Sequence, residues 1–89
     1  MLSKSYTILN PTGFHIRPAR LFADTANERF PTTEVKVTKG AKVINGKSVL
    51  SMLTLGAKFQ ETVTIQVEGG PEAEALEVLG ALFETIHKE

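Results

Sequence analysis

Glu34-Val35-Lys36-Val37-Thr38-Lys39-Gly40-Ala41-Lys42-Val43-Ile44 is the stretch that decides the architecture. Its first half alternates strictly, so Val35 and Val37 face a core while Glu34, Lys36 and Thr38 face water. Lys39-Gly40 is a turn, and Ala41–Ile44 returns as the second strand of a hairpin. A hairpin makes its two strands antiparallel. Downstream, Thr62-Val63-Thr64-Ile65-Gln66-Val67 alternates just as cleanly and gives a further strand. Upstream, Tyr6-Thr7-Ile8-Leu9 reads as a short strand, stopped by Asn10-Pro11-Thr12-Gly13.

Between the strands the period changes. Pro18 opens a helical pattern in which Ala19, Phe22, Ala23, Ala26 and Phe30 form one buried stripe, and Pro31 ends it. Ser48–Leu55 lies between Gly46 and Gly56 and reads as a short helix, with Ser48 at the N-cap and Gly56 just past the end. Gly69-Gly70-Pro71 turns into a last helix. Glu72 and Glu74 occupy its first turn, and Leu76, Leu79, Phe83 and Ile86 form its buried stripe. The order is β-α-β-β-α-β-α. It specifies an α+β fold, a four-stranded antiparallel sheet with three helices on one face and the other face wet.

The 89 residues suffice for one domain, residues 1–89, and leave no room for a large cofactor cleft beside a core. No apolar run reaches the roughly 20 residues of a membrane span. Met1-Leu2-Ser3-Lys4 lacks the apolar stretch of a signal peptide, which sets the expectation of a cytoplasmic chain without membrane insertion. Cysteine is absent and there are two histidines, so neither disulfides nor a Cys- or His-based metal site is expected, and no cofactor. Net charge is zero but unevenly spread: residues 1–60 carry +6 and residues 61–89 carry −6. The split points to one basic and one acidic face; the basic face is either simply solvated or meets an acidic protein surface, nucleic acid or an anionic membrane.

Three segments bear on chemistry. Ala41–Ser48 fits a relaxed phosphate-loop pattern, but its middle is β-branched and no second strand ends in a metal-binding Asp, so that reading fails. Gly13-Phe14-His15-Ile16-Arg17-Pro18-Ala19 delivers His15 to the start of a helix. There the unpaired N–H groups favour an anion, and Arg17 adds a planar fork suited to phosphate oxygens. A histidine so placed either caps the helix or, as a neutral imidazole, acts as a nucleophile. In Lys47-Ser48-Val49-Leu50-Ser51-Met52-Leu53, Ser48 is a cap or a phosphorylation site. Two helical turns cannot bury all the apolar residues there, so Val49, Leu50 and Leu53 are expected to be exposed or to cover a partner.

Taken together, Gly13, His15, Arg17, Pro18 and Ala19, followed by Lys47-Ser48 and the apolar run to Leu55-Gly56, resemble the two signatures of the HPr family. These are the histidine-containing phosphocarriers of the bacterial phosphoenolpyruvate:sugar phosphotransferase system. The resemblance covers almost the whole chain and implies an open-faced β-sandwich. It implies a carrier rather than an enzyme. His15 would take a phosphoryl group on Nδ1 from enzyme I and pass it to enzyme IIA, with Arg17 as electrostatic partner. Ser48 falls where a serine kinase/phosphorylase acts in many Gram-positive relatives. Ile16, Arg20, Val49, Leu50 and Leu53 fall on the partner-binding surface. A monomer is expected.

Ile16 is bulkier than the Ala or Thr common at its position, and Arg20 replaces a small residue. A paralogue in a dedicated regulatory or nitrogen-related phosphorelay is therefore the alternative. The family's non-phosphorylatable relatives lack the histidine. Two other classes compete. A regulatory binding module would use Ser48 alone, and a nucleic-acid-binding domain would need exposed aromatics on its sheet.

Overall fold

The computed structural model describes residues 1–9, 16–56 and 58–84. Its elements are β1 (Leu2–Thr7), α1 (Ile16–Arg29), β2 (Glu34–Lys39), β3 (Lys42–Asn45), α2 (Val49–Thr54), β4 (Thr62–Glu68) and α3 (Glu72–Phe83). They form the expected order, and the four strands make one antiparallel sheet, β1-β4-β2-β3. β4 lies in the middle, with Val35 opposite Val67 and Val37 opposite Ile65. The alternation of β2 and β4 therefore places Val35, Val37, Val63, Ile65 and Val67 on one face, all buried. The opposite face presents Ser3, Ser5, Thr7, Thr62, Thr64, Gln66, Lys36 and Thr38, with a hydroxyl bond from Ser5 to Thr64 (2.9 Å).

The predicted stripe of α1 is borne out in full: Ala19, Phe22, Ala23, Ala26 and Phe30 are all buried. The helix begins at Ile16, two residues before Pro18. Pro18 is compatible with that third position because the first four N–H groups of a helix have no intrahelical partner. Leu76, Leu79 and Phe83 of α3 are buried as expected, and Phe83 meets Phe22 of α1 at a ring separation of 5.0 Å. Ile86 lies outside the described residues.

Strand β1 departs from expectation. It spans Leu2–Thr7 rather than Tyr6–Leu9, pairing with β4 from Leu2 opposite Val67 to Thr7 opposite Thr62. Its first four residues are exposed, so nothing in their hydropathy marks them as strand; pairing with β4 imposes it. Ile8 stays buried beyond the strand end, and its N–H donates to Glu61 O (2.9 Å).

Two glycines allow close approach. Gly80 of α3 faces the Tyr6 ring, and a Cβ there would overlap the aromatic carbons. Tyr6 also donates its hydroxyl hydrogen to Leu76 O (2.9 Å), so β1 and α3 meet through one buried side chain. Burial pushes the Tyr6 phenol up from its ordinary range, with Glu84 and Glu77 adding to the shift. At Gly46 a Cβ would sit 2.6 Å from Val35 Cγ1 and 3.1 Å from Phe22 Cε1. The turn after β3 thus rests directly on the core.

Candidate phosphoryl-transfer surface

α1 and α2 pack together, and their outer sides carry the residues singled out from sequence. Arg17 is exposed in the first turn of α1. Arg20 is exposed one turn on and pairs with Asp24 (3.7 Å), an i,i+4 contact on the helix surface. Leu21, at the same helical spacing from Arg17, is 46% exposed. Sequence reading passed over it. The signal was present: an apolar residue off the buried stripe, four positions from Arg17. Ile16 is the first residue of α1. His15 lies outside the described residues.

α2 is short, and its ends are held by polar bonds. Ser48 is its N-cap, as predicted, accepting the Ser51 N–H on Oγ (3.3 Å). Gly56, at φ +65°, follows its last turn. Met52 is buried and Val49 half-buried, while Leu50 is 77% and Leu53 37% exposed. The expectation of unburied apolar residues holds for Leu50 and Leu53 and only in part for Val49.

Lysines complete the arrangement, in a role that charge counting missed. From the β2–β3 hairpin, Lys39 donates to Gly56 O (3.0 Å) and Lys42 to Thr54 O, both at the C-terminal end of α2. Lys47 donates to Phe30 O (2.6 Å), just past the end of α1. Each cation sits at the negative end of a helix. These three count toward the +6 of residues 1–60, but they hold helices rather than form an open basic face. Lys39 also pairs with Glu61 (3.1 Å). Glu61 accepts the Lys58 N–H as well, and that bond followed by the Lys39 contact draws its carboxyl below the usual range.

The same geometry disposes of the phosphate-loop pattern. Residues 42–45 are a strand, and the Lys47 ammonium is bound to Phe30 O. No group of three or more metal-ligating side chains occurs among the described residues. Among those residues no helix is long and apolar enough to cross a membrane. The outward strand positions carry hydroxyl, amide and charged side chains and the exposed Val43, none of them aromatic, and Tyr6 points into the core, so among the described residues the strands offer no stacking platform of the kind a nucleic-acid binder needs.

Arg17 is thus exposed at the start of α1, which packs against a capped helix displaying Leu50 and Leu53. The family model described as "PTS HPr component phosphorylation site" matches residues 2–85. The HPr-like protein Crh of Halalkalibacterium halodurans is 38% identical over 84 residues, covering 94% of this chain and 98% of that protein. The phosphocarrier protein HPr of Neisseria meningitidis is 35% identical over 83 residues, covering 93% and 91%. Among solved structures, HPr-C-His from Thermoanaerobacter tengcongensis superposes with a TM-score of 0.86 at 37% identity, covering 94% of this chain and 92% of that one. Crh of Bacillus subtilis, described as a domain-swapped dimer, gives 0.73 at 35% identity, covering 99% and 100%. The chain belongs to the HPr family of phosphocarriers, which are carriers rather than enzymes.

Proposed function

We propose that this chain carries a phosphoryl group on His15, taking it from phospho-enzyme I and passing it to enzyme IIA in bacterial sugar uptake, as a cytoplasmic monomer folded as one domain. The observation that carries the reading is the Gly-x-His-x-Arg-Pro-Ala segment running into α1, inside a chain that matches the family over residues 2–85. The lone pair of a neutral imidazole Nδ1 attacks phosphorus. The bond from phosphorus to the donor breaks, and its electron pair stays with the donor. Positioning and charge stabilisation carry such a transfer, and in this reading Arg17 supplies the charge. The reverse sequence at an enzyme IIA returns His15 to its starting state. Ile16, Arg20, Val49, Leu50 and Leu53 are the contact residues in this reading.

Ser48 is proposed as a negative switch acted on by a serine kinase/phosphorylase. A phosphate there adds about −1.5 to −2 charges beside Leu50 and Leu53 and disfavours an acidic partner. A second reading has its own support. A 38% identical relative is named HPr-like protein Crh, which supports a dedicated regulatory role as the alternative. Retention of His15 favours a phosphoryl carrier in either setting.

The test is incubation with phosphoenolpyruvate and purified bacterial enzyme I, read by intact mass. The wild type should gain one acid-labile phosphoryl group, and His15→Ala should gain none while keeping its circular dichroism spectrum. A gain that persists in His15→Ala overturns the assignment.

A further inference from the structure

A run of hydrogen bonds joins α1 to the entry of α2. The Asn27 amide donates to Ala23 O (2.9 Å), one turn back on its own helix, and to Lys47 O (2.8 Å), twenty residues on in sequence. Lys47 in turn donates through Nζ to Phe30 O (2.6 Å). The intervening turn is fixed from the other side: Gly46 N–H donates to Val35 O (2.8 Å) and Lys47 N–H to Asn45 Oδ1 (2.9 Å). The backbone of Lys47, immediately before the Ser48 cap, is therefore clasped to the last turn of α1.

We propose that Asn27 is a positioning residue for phosphoryl transfer, acting through α2. This rests on the phosphocarrier reading. Within α2 only Met52 is fully buried, with Leu55 buried at its C-cap, so a polar bond at its entry supplements a small apolar contact. The Asn27–Lys47 bond fixes the height at which α2 enters, and with it the position of Leu50 and Leu53 relative to Arg17 and Arg20 on α1. Both amide hydrogens of Asn27 are used, one within α1 and one across to Lys47. Docking geometry thus depends on a side chain on neither signature.

The substitutions separate the two bonds. Asn27→Ala removes both. Asn27→Ser keeps a hydroxyl able to bond the carbonyl four residues back, but is too short to reach Lys47 O. Asn27→Gln keeps an amide of sufficient reach. With enzyme I and phosphoenolpyruvate, Asn27→Ala and Asn27→Ser should each raise the KM for this chain about fivefold, the equivalent of one typical hydrogen bond. kcat should stay within about twofold, and Asn27→Gln should recover at least half of the loss. A KM unchanged in Asn27→Ala, or raised in Ala but not in Ser, overturns the role of the cross-link.

A second readout does not need phosphoryl transfer. Amide hydrogen exchange at Ser51 and Met52 should speed up about fivefold in Asn27→Ala and Asn27→Ser relative to wild type. Unchanged exchange overturns the clasp. If the wild type takes no phosphoryl group, the carrier reading fails, the positioning role falls with it, and exchange alone decides whether the clasp holds α2.

Discussion

α2 and α3 lie in the same helical layer and are held in opposite ways. α3 buries Ala75, Leu76, Leu79, Gly80 and Phe83 against β1, β4 and α1, and one tyrosine from β1 reaches its backbone. α2 buries Met52, turns Leu50 and Leu53 outward, and is fastened at its ends by Ser48, Lys39 and Lys42. The first helix is stabilised by removing apolar surface from water. The second keeps apolar surface available by moving its fastenings to polar groups at its termini. A carrier that meets two partners in turn needs both: a rigid support, and an apolar patch that is not consumed by its own core.

Substitutions can break this contrast in a graded order. Leu79→Ala should be the most damaging, at about 2–5 kcal/mol of stability, because it opens a cavity beneath α3. Leu50→Ala should change stability by no more than about 0.5 kcal/mol, since its side chain lies mostly in water. Denaturant midpoints with unchanged m-values would establish both. Gly80→Ala should cost about 1–3 kcal/mol by overpacking against Tyr6, despite alanine's better helix propensity. A stabilised Gly80→Ala would mean that α3 is not locked as described.

Lys42→Ala should have a smaller effect, about 0.3–1 kcal/mol, confined to α2. Faster amide exchange at α2 with an unchanged global midpoint is the expected pattern. The smallest effect is electrostatic. Glu61 and Glu72 are both held below the usual carboxylate range: Glu61 by the Lys58 N–H and then Lys39, Glu72 by the Gly69 N–H and then the N-terminal ammonium. A depressed folded-state pKa contributes stability above the unfolded value of about 4.3. That contribution is lost as pH falls through the lower folded value. Melting temperatures between pH 6 and 3 should fall less steeply for Glu61→Gln than for wild type. Parallel curves would remove Glu61 from the account.

Much of this was legible in sequence, and the exceptions share a cause. Val35, Val37, Val63, Ile65 and Val67 announce their face by period two, and the α1 stripe by helical spacing. The Ser48 cap could be read because capping is local. β1 was misplaced because Leu2-Ser3-Lys4-Ser5 carries no alternating apolar signal; its strand state is conferred by β4. The lysines at helix ends, Gly46 and Gly80 depend on residues far away in sequence, and no local pattern encodes such contacts. Asn27 belongs to neither signature, and only the path of the chain brings Lys47 O to it.

The contrast between the displayed and the supporting helix is tested most directly by one comparison of initial rates. Phosphoryl acceptance from enzyme I would be measured for wild type, Leu50→Ala and Leu79→Ala, at a temperature where all three are folded. The account predicts that Leu50→Ala slows acceptance by about tenfold, the loss of an apolar contact worth over 1 kcal/mol, at unchanged melting temperature. Leu79→Ala should melt earlier yet accept at the wild-type rate. Wild-type acceptance by Leu50→Ala, together with slowed acceptance by folded Leu79→Ala, would contradict it.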